Sequence, residues 1–498
     1  MKINKIHTRI LYFNDLHANT GNTKRLHTVS LYFNPKSDKM KADSLTLCSG
    51  DTFVGKGKES GKVMGGLINL FNLDGMAIGN HDIDAGSLEL NKKIKSSNFQ
   101  YLVCNMDIKD DKYYKENRET GKLVKSKVVN KNGHTYGIIG ATAFDMEDVL
   151  SLDTKEDLVD INFKSKEETF KAIKKEVGKL QDIGVNKIIL ISHLGFPAEK
   201  EVAQKISGID VIIGGHTHDL VKGVQPNVNY FLSPSGEPVI ITQAGQGGKH
   251  YGILDILFDD KGIITNLDNI VDDTEKVHSN MIARYVEKKL QDPVEVYGNL
   301  KTPLELASYK SPFEEHITSY LICDAMKEKA GADIAFHNKG CQKRNLQGYI
   351  SNRDVAVALP HINTVYMFKM SEKEVVDALK ASLNVDRNIK DKIGNLQCSG
   401  LEYTIGKNNE LKNLYFIKEG TKKLINVDKP REDVFYNVVY GSFLAGGPDR
   451  LKMLKNKKGE IKKFTWSDQE ATMEFLKKLA KEGGGDIVYR PKKRVILE

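Results

Sequence analysis

The chain has 498 residues, 40% of them hydrophobic and 28% charged, with 74 basic against 66 acidic side chains and a formal net charge of +8. That length exceeds one core and predicts two domains of roughly 200 to 280 residues each, while the ordinary composition excludes a disordered or fibrous chain. The densest basic runs, Lys455 to Lys463 and Arg490 to Arg494, carry no interleaved aromatic residues, so no nucleic-acid polymer is expected as a partner and small anions are favoured instead.

The first ten residues turn polar too soon for a secretory h-region, and no stretch approaches the 18 apolar residues of a membrane span, so a cytoplasmic protein without a membrane partner is expected. Arg9 to Phe13 reads as a strand that breaks into Asn14-Asp15-Leu16-His17. In extended backbone Asp15 and His17 share a face, so a carboxylate and an imidazole can share a metal. Ser44 to Cys48 is a second strand and ends in Ser49-Gly50-Asp51. Met64 to Leu73 has helical spacing and leads into a short apolar run that stops at Gly79, followed by Asn80, His81, Asp82 and Asp84. This completes a strand, helix, strand unit of a layered α/β domain.

Tyr101 to Cys104 and Thr135 to Gly140 are further strands, and the charged stretch Lys109 to Lys127 between them predicts an exposed hairpin or loop. Glu167 to Gln181 carries apolar residues at threes and fours, the pattern of an amphipathic helix, and hands over to a buried-type strand, Lys187 to Ile191, ending in Ser192-His193. Asp210 to Ile213 is another strand and stops at Gly214-Gly215-His216-Thr217-His218. Cys48 and Cys104 lie inside apolar runs and read as core; the five cysteines contain no Cys-x-x-Cys pair, so neither a disulfide framework nor a zinc knuckle is indicated.

Asp15, His17, Asp51, Asn80, His193, His216 and His218 each follow a strand closely, and in layered α/β sheets functional groups collect at the carboxyl ends of strands. Carboxylate, imidazole and amide donors without thiolate suit Mn, Zn, Fe or Co. Seven candidates exceed the needs of one tetrahedral ion, so two divalent ions bridged by a carboxylate are expected, an arrangement suited to phosphate-ester hydrolysis.

Asp15-x-His17, Gly50-Asp51, Gly79-Asn80-His81-Asp82, His193 and Gly215-His216-Thr217-His218, in this order, resemble the calcineurin-like metallophosphoesterase signature, specifically that of the two-domain 5'-nucleotidase family. The resemblance implies that Asp15, His17, Asp51 and His218 hold one metal, that Asp51, Asn80, His193 and His216 hold the other, and that His81 with its partner Asp84 is catalytic. It also implies a β-sandwich flanked by helices over residues 1–275. Asp82 stands where family members often carry Glu.

The stretch 276–300, with Val277 to Leu290 helical, predicts a linker helix, and a smaller α+β domain is expected over 301–498. Ile317 to Lys329 and Ser371 to Leu383 predict helices, the latter capped by Ser371 and Glu374, and Asp333 to Phe336, Val365 to Met370 and Val434 to Val439 predict strands. This half resembles the family's substrate domain in Asn338 to Arg344, Leu359 to Asn363 and Phe443 to Asp449. By that resemblance Lys343 or Arg344 grips phosphate, and His361 and Phe443 stand where two aromatic rings sandwich a base, with Asn363 and Asp449 beside them. Lys310 stands where relatives place arginines, which thins the phosphate clamp because a lysine offers no bidentate fork. The expected activity is release of phosphate from a nucleotide or related small ester. The alternatives are a cyclic-nucleotide or nucleotide-sugar phosphodiesterase, or a nucleotide-binding protein whose catalysis has lapsed.

Overall fold

The computed structural model describes residues 5–498 apart from 34–41, 55–57, 109–113, 159–160, 305–312, 314–315, 339, 341–344, 385–394 and 456–460, with backbone alone at 58–60, 147–148, 449–450 and 461. The chain packs as two units, 1–147 with 154–292, and 148–153 with 293–498.

The first unit contains two large sheets. One has the order Ile264–Asp273, His250–Phe258, Ile6–Phe13, Asp43–Cys48, Gly75–Ala77, Tyr101–Leu102, Leu123–Val124; the other runs Tyr230–Leu232, Pro238–Thr242, Val211–Ile213, Ile188–Ser192, His134–Ala141, Ser126–Lys131. Their central strands are parallel; antiparallel strands close both edges of the second sheet and one edge of the first, whose other edge strand, Leu123–Val124, runs parallel to its neighbour. Parallel strands covered on both faces read as continuous apolar runs, and alternation then sorts the residues. Ile189, Ile191, Val211 and Ile213 pack with Ile10, Tyr12, Leu45 and Leu47 in the core shared by the two sheets. Ile188, Leu190 and Ile212 face the other way, onto Ile173, Val177 and Leu180 of the Lys166–Asp182 helix and Val202 of the Phe196–Lys205 helix.

Three local expectations differ from the structure. The helix expected at Met64 to Leu73 is Lys58–Ile68; Asn72 turns the chain at φ 50°, freeing Phe71 to pack its ring 5.1 Å from that of Phe13. Within 109–127 the described part holds a Lys115–Glu119 helix and the Leu123–Val124 edge strand, anchored by fully buried Tyr114. The Met281–Leu290 helix is no bare linker: fully buried Ala283 packs with Val63 and Leu67, and Val286 and Leu290 flank them.

The second unit is α+β. Its five-stranded sheet has the order Leu396–Ser399, Ile334–Asn338, Phe435–Gly441, Thr364–Ser371, Ile461–Ser467, accompanied by a three-stranded and a four-stranded sheet. The Ile317–Ala330 and Glu372–Leu383 helices stand where the spacing predicts them, and the second carries the Ser371–Glu374 capping box. Among the described residues no helix is long and apolar enough to cross a membrane.

Candidate functional site

In the first unit the carboxyl ends of six strands converge. Asp15 and His17 follow Ile6–Phe13, Asp51 follows Asp43–Cys48, and Asn80 and His81 follow Gly75–Ala77; from the other sheet come Asp145 after His134–Ala141, His193 after Ile188–Ser192, and His216 and His218 after Val211–Ile213. The chain leaves these strands in sharp left-handed turns, with φ of 50° at Asp15, 45° at His17, 52° at Asp51, 76° at His216 and 61° at His218. Each such residue costs on the order of 1–3 kcal/mol, a strain that persists where the surroundings impose it and that gathers at functional sites. At Gly79 a Cβ would collide with the Asp51 carboxylate, so the two turns approach as closely as glycine alone allows.

His17 Nε2 and His218 Nε2 lie 3.0 Å apart, and His218 Nε2 lies 3.3 Å from Asp15 Oδ1. His193 Nε2 is 3.2 Å from Asp51 Oδ2 and 3.9 Å from Asp15 Oδ1, and His216 Nδ1 is 2.9 Å from Asn80 Oδ1. The seven side chains nominated from the strand ends are therefore brought together. His81 donates its backbone N–H to Asp51 Oδ1 at 2.8 Å, and its ring Nδ1 meets Asp84 Oδ2 at 2.8 Å.

The field of this cluster favours positive charge. Burial opposes charging of His193, yet the Asp51 carboxylate outweighs it and pushes the imidazole up to about 10. Burial alone would raise Asp51, but His193, His81 and His17 hold it well below the usual carboxylate range.

A bound cation fits these donors. His193 Nδ1 lies 2.6 Å from the Ser49 carbonyl oxygen, which can only accept. The ring proton therefore sits on Nδ1, and fully buried Nε2, which has no hydrogen-bond partner among the described residues, faces two carboxylates. A lone pair in that setting requires a proton or a metal ion between it and the oxygens. The 3.0 Å separation of the His17 and His218 nitrogens is close to the roughly 3.0–3.4 Å edge of a coordination polyhedron with metal–nitrogen bonds of about 2.1 Å.

Several supporting roles escape a reading of the sequence, that of Asp82 included. Fully buried Asp82 accepts backbone N–H bonds from Asp51, Thr52, Phe53 and Gly79 at 2.9–3.0 Å, lashing the Asp51 turn to the Gly79 turn; burial and the Asp51 carboxylate push it up to about 6. Gln243 donates to Glu199 Oε2 at 3.0 Å and to the Gly215 carbonyl at 3.2 Å, and accepts from Asp219 N at 3.1 Å, which fixes the loop carrying His216 and His218. Asp145 meets His216 Nε2 at 3.3 Å. It lies five residues past the predicted Thr135 to Gly140 strand, the one signal available for it; Glu199 and Gln243 leave none, since their partners are distant in sequence.

Residues 8–220 match the family model of the calcineurin-like phosphoesterases and residues 296–456 that of the 5'-nucleotidase C-terminal domain. The chain belongs to the 5'-nucleotidase family of calcineurin-like metallophosphoesterases. Members of this family are hydrolases of phosphoric esters, and so is this protein. It is 26% identical to the trifunctional nucleotide phosphoesterase protein YfkN of Bacillus subtilis over 94% of this chain and 34% of that protein, so it spans about a third of that relative's length. With the 5'-nucleotidase of Mus musculus it shares 27% identity over 89% of this chain and 80% of the mouse protein. Its fold matches that of a 5'-nucleotidase precursor from Thermus thermophilus with a TM-score of 0.78, at 24% identity and 99% coverage of both chains.

In the 5'-nucleotidase C-terminal domain the nominated residues are distributed differently. Lys310, Lys343 and Arg344 lie outside the described residues, as does the side chain of Asp449. Asn363 is buried and committed to the fold: its Nδ2 donates to Asp468 Oδ2 at 2.8 Å and to the His361 carbonyl at 3.3 Å, and its Oδ1 accepts from Phe443 N at 3.1 Å. It thus ties the His361 stretch to the Phe443 stretch. Phe443 is half-buried against the domain core, and His361 is half-buried as well.

Proposed function

We propose that the protein is a metal-dependent phosphohydrolase that releases phosphate from a nucleotide or related small phosphate ester, with Asp15, His17, Asp51 and His218 around one divalent cation and Asp51, Asn80, His193 and His216 around a second. The observation that carries this reading is the buried set in which Asp15, Asp51 and His193, and beside them Asp15, His17 and His218, present ligand atoms within 4.8 Å of one another. Cations bound there would supply Lewis acidity toward a phosphoryl oxygen and would lower the pKa of water.

The chain's own residues supply the rest. Asp51, common to both proposed groups, balances positive charge on either side. Asp84 holds His81 through Nδ1, leaving Nε2 to meet the developing charge on phosphate or on the leaving oxygen. Nucleotides are the favoured substrate class because the relatives in both halves carry nucleotidase names. The two proposed groups need two ions from Mn, Zn, Fe or Co.

The test is phosphate release from a panel of nucleoside monophosphates, cyclic nucleotides, nucleotide sugars and aryl phosphates, after chelation and reloading with Mn, Zn, Co or Mg, with metal counted in each sample. Activity that follows two bound ions per chain is expected. Fully loaded protein inert to every ester, or full activity with one ion or none, overturns the reading.

A further inference from the structure

Two of the three site histidines from the second sheet are anchored through opposite nitrogens. His193 is held at Nδ1 by the Ser49 carbonyl, so its Nε2 faces the carboxylates. For His216 the polarity is reversed. Its Nε2 lies 3.3 Å from Asp145 Oδ2, its Nδ1 lies 2.9 Å from Asn80 Oδ1, and its backbone N–H donates to Asp15 Oδ2 at 3.1 Å. Both ring nitrogens of His216 thus face acceptors. The carboxylate of Asp145 is the stronger one and takes the ring proton, which leaves a lone pair on Nδ1 opposite the Asn80 oxygen. Two electron-rich atoms 2.9 Å apart suit a cation that both can bind.

We propose that Asp145 is a positioning residue for the second cation: by accepting the Nε2 proton of His216 it fixes the ring tautomer and orientation that present Nδ1, together with Asn80 Oδ1, to the metal. This rests on the two-cation reading above. Asp145 reaches the site from the end of His134–Ala141, a strand that contributes none of the seven proposed ligands, and its side chain is 40% exposed. Replacing it therefore leaves the core of the unit untouched. A carboxylate behind a metal-bound imidazole typically contributes 10–100-fold to metal affinity.

The experiment titrates zinc into metal-free full-length wild type, Asp145→Ala and Asp145→Asn, with circular dichroism as a check on folding, and records long-range 1H–15N spectra of the zinc-loaded histidines. In the Ala variant one of two binding steps should weaken about 10–100-fold while the other stays within about twofold. The Asn variant, whose amide oxygen still accepts, should retain most of the affinity. In wild type the His216 proton should reside on Nε2. Unchanged zinc binding in the Ala variant beside a normal wild type, or a His216 proton on Nδ1, overturns the role of Asp145 alone. Outright loss of one zinc equivalent in the Asn variant also overturns it, because Asp145 would then be a ligand. Wild type that takes up no zinc overturns the metal reading and this proposal with it.

Discussion

Acid should destabilise the second unit through one side chain, His337. It lies on the Ile334–Asn338 strand, is 3% exposed, and has no hydrogen-bond partner on either ring nitrogen among the described residues. Burial, reinforced by neighbouring His316, lowers the imidazole from its ordinary 6.5 to about 3. The unfolded chain therefore takes up a proton near pH 6.5 that the folded one refuses, so stability is full above pH 6.5 and drains away as pH falls toward 3. At pH 5 the loss is about 2 kcal/mol, since each pH unit below 6.5 contributes roughly 1.4 kcal/mol. Trp466 is the only tryptophan in the chain and lies in the same unit, on the Ile461–Ser467 strand. Its fluorescence isolates this unit in urea unfolding of the full chain at pH 7.5 and pH 5.0. The His337→Leu variant should lose about 2 kcal/mol less than wild type between those two conditions. An identical pH dependence in the two proteins would show that His337 is not held neutral by burial.

Other substitutions probe the catalytic half and the substrate domain. Asp82→Asn leaves four backbone donors with a neutral and partly mismatched acceptor, which should destabilise the first unit by about 2–4 kcal/mol and lower metal uptake; unchanged thermal unfolding and metal content would refute this. His81→Ala should keep its full metal content while kcat falls by roughly 10²–10⁴, and loss of a metal ion would make His81 a ligand instead. With His361 in place of one aromatic ring, kcat/KM for AMP should stay close to that for a plain aryl phosphate and change little in Phe443→Ala. A strong AMP preference that this substitution abolishes, by the roughly 1–3 kcal/mol of a stacked base, would show that the pocket is intact.

Much of the catalytic half is legible because its signals are local. An apolar run with β-branched residues makes a strand wherever it lies, and a glycine, serine or asparagine with Asp, Asn or His behind it marks the turn at its end, so Asp15, Asp51, Asn80, His193 and His216 can be marked without knowing what they face. Which strand ends meet is a property of pairing. Asp43–Cys48 lies beside Ile6–Phe13, and Ile188–Ser192 stands between His134–Ala141 and Val211–Ile213; those neighbours, tens of residues apart in the chain, place His193 Nε2 3.2 Å from Asp51. The same limit hides Asp145 and Gln243, whose meaning lies in the atoms they touch, and it assigns the Met281–Leu290 helix to the first unit, because only the folded chain brings Val63 and Leu67 against Ala283. It also gives Asn363 a structural task and leaves His337 without a hydrogen-bond partner among the described residues. Sequence by itself therefore determined the kind of chemistry, through residue types at strand ends, whereas burial and hydrogen-bond satisfaction depend on contacts between distant segments and were decided by the tertiary structure.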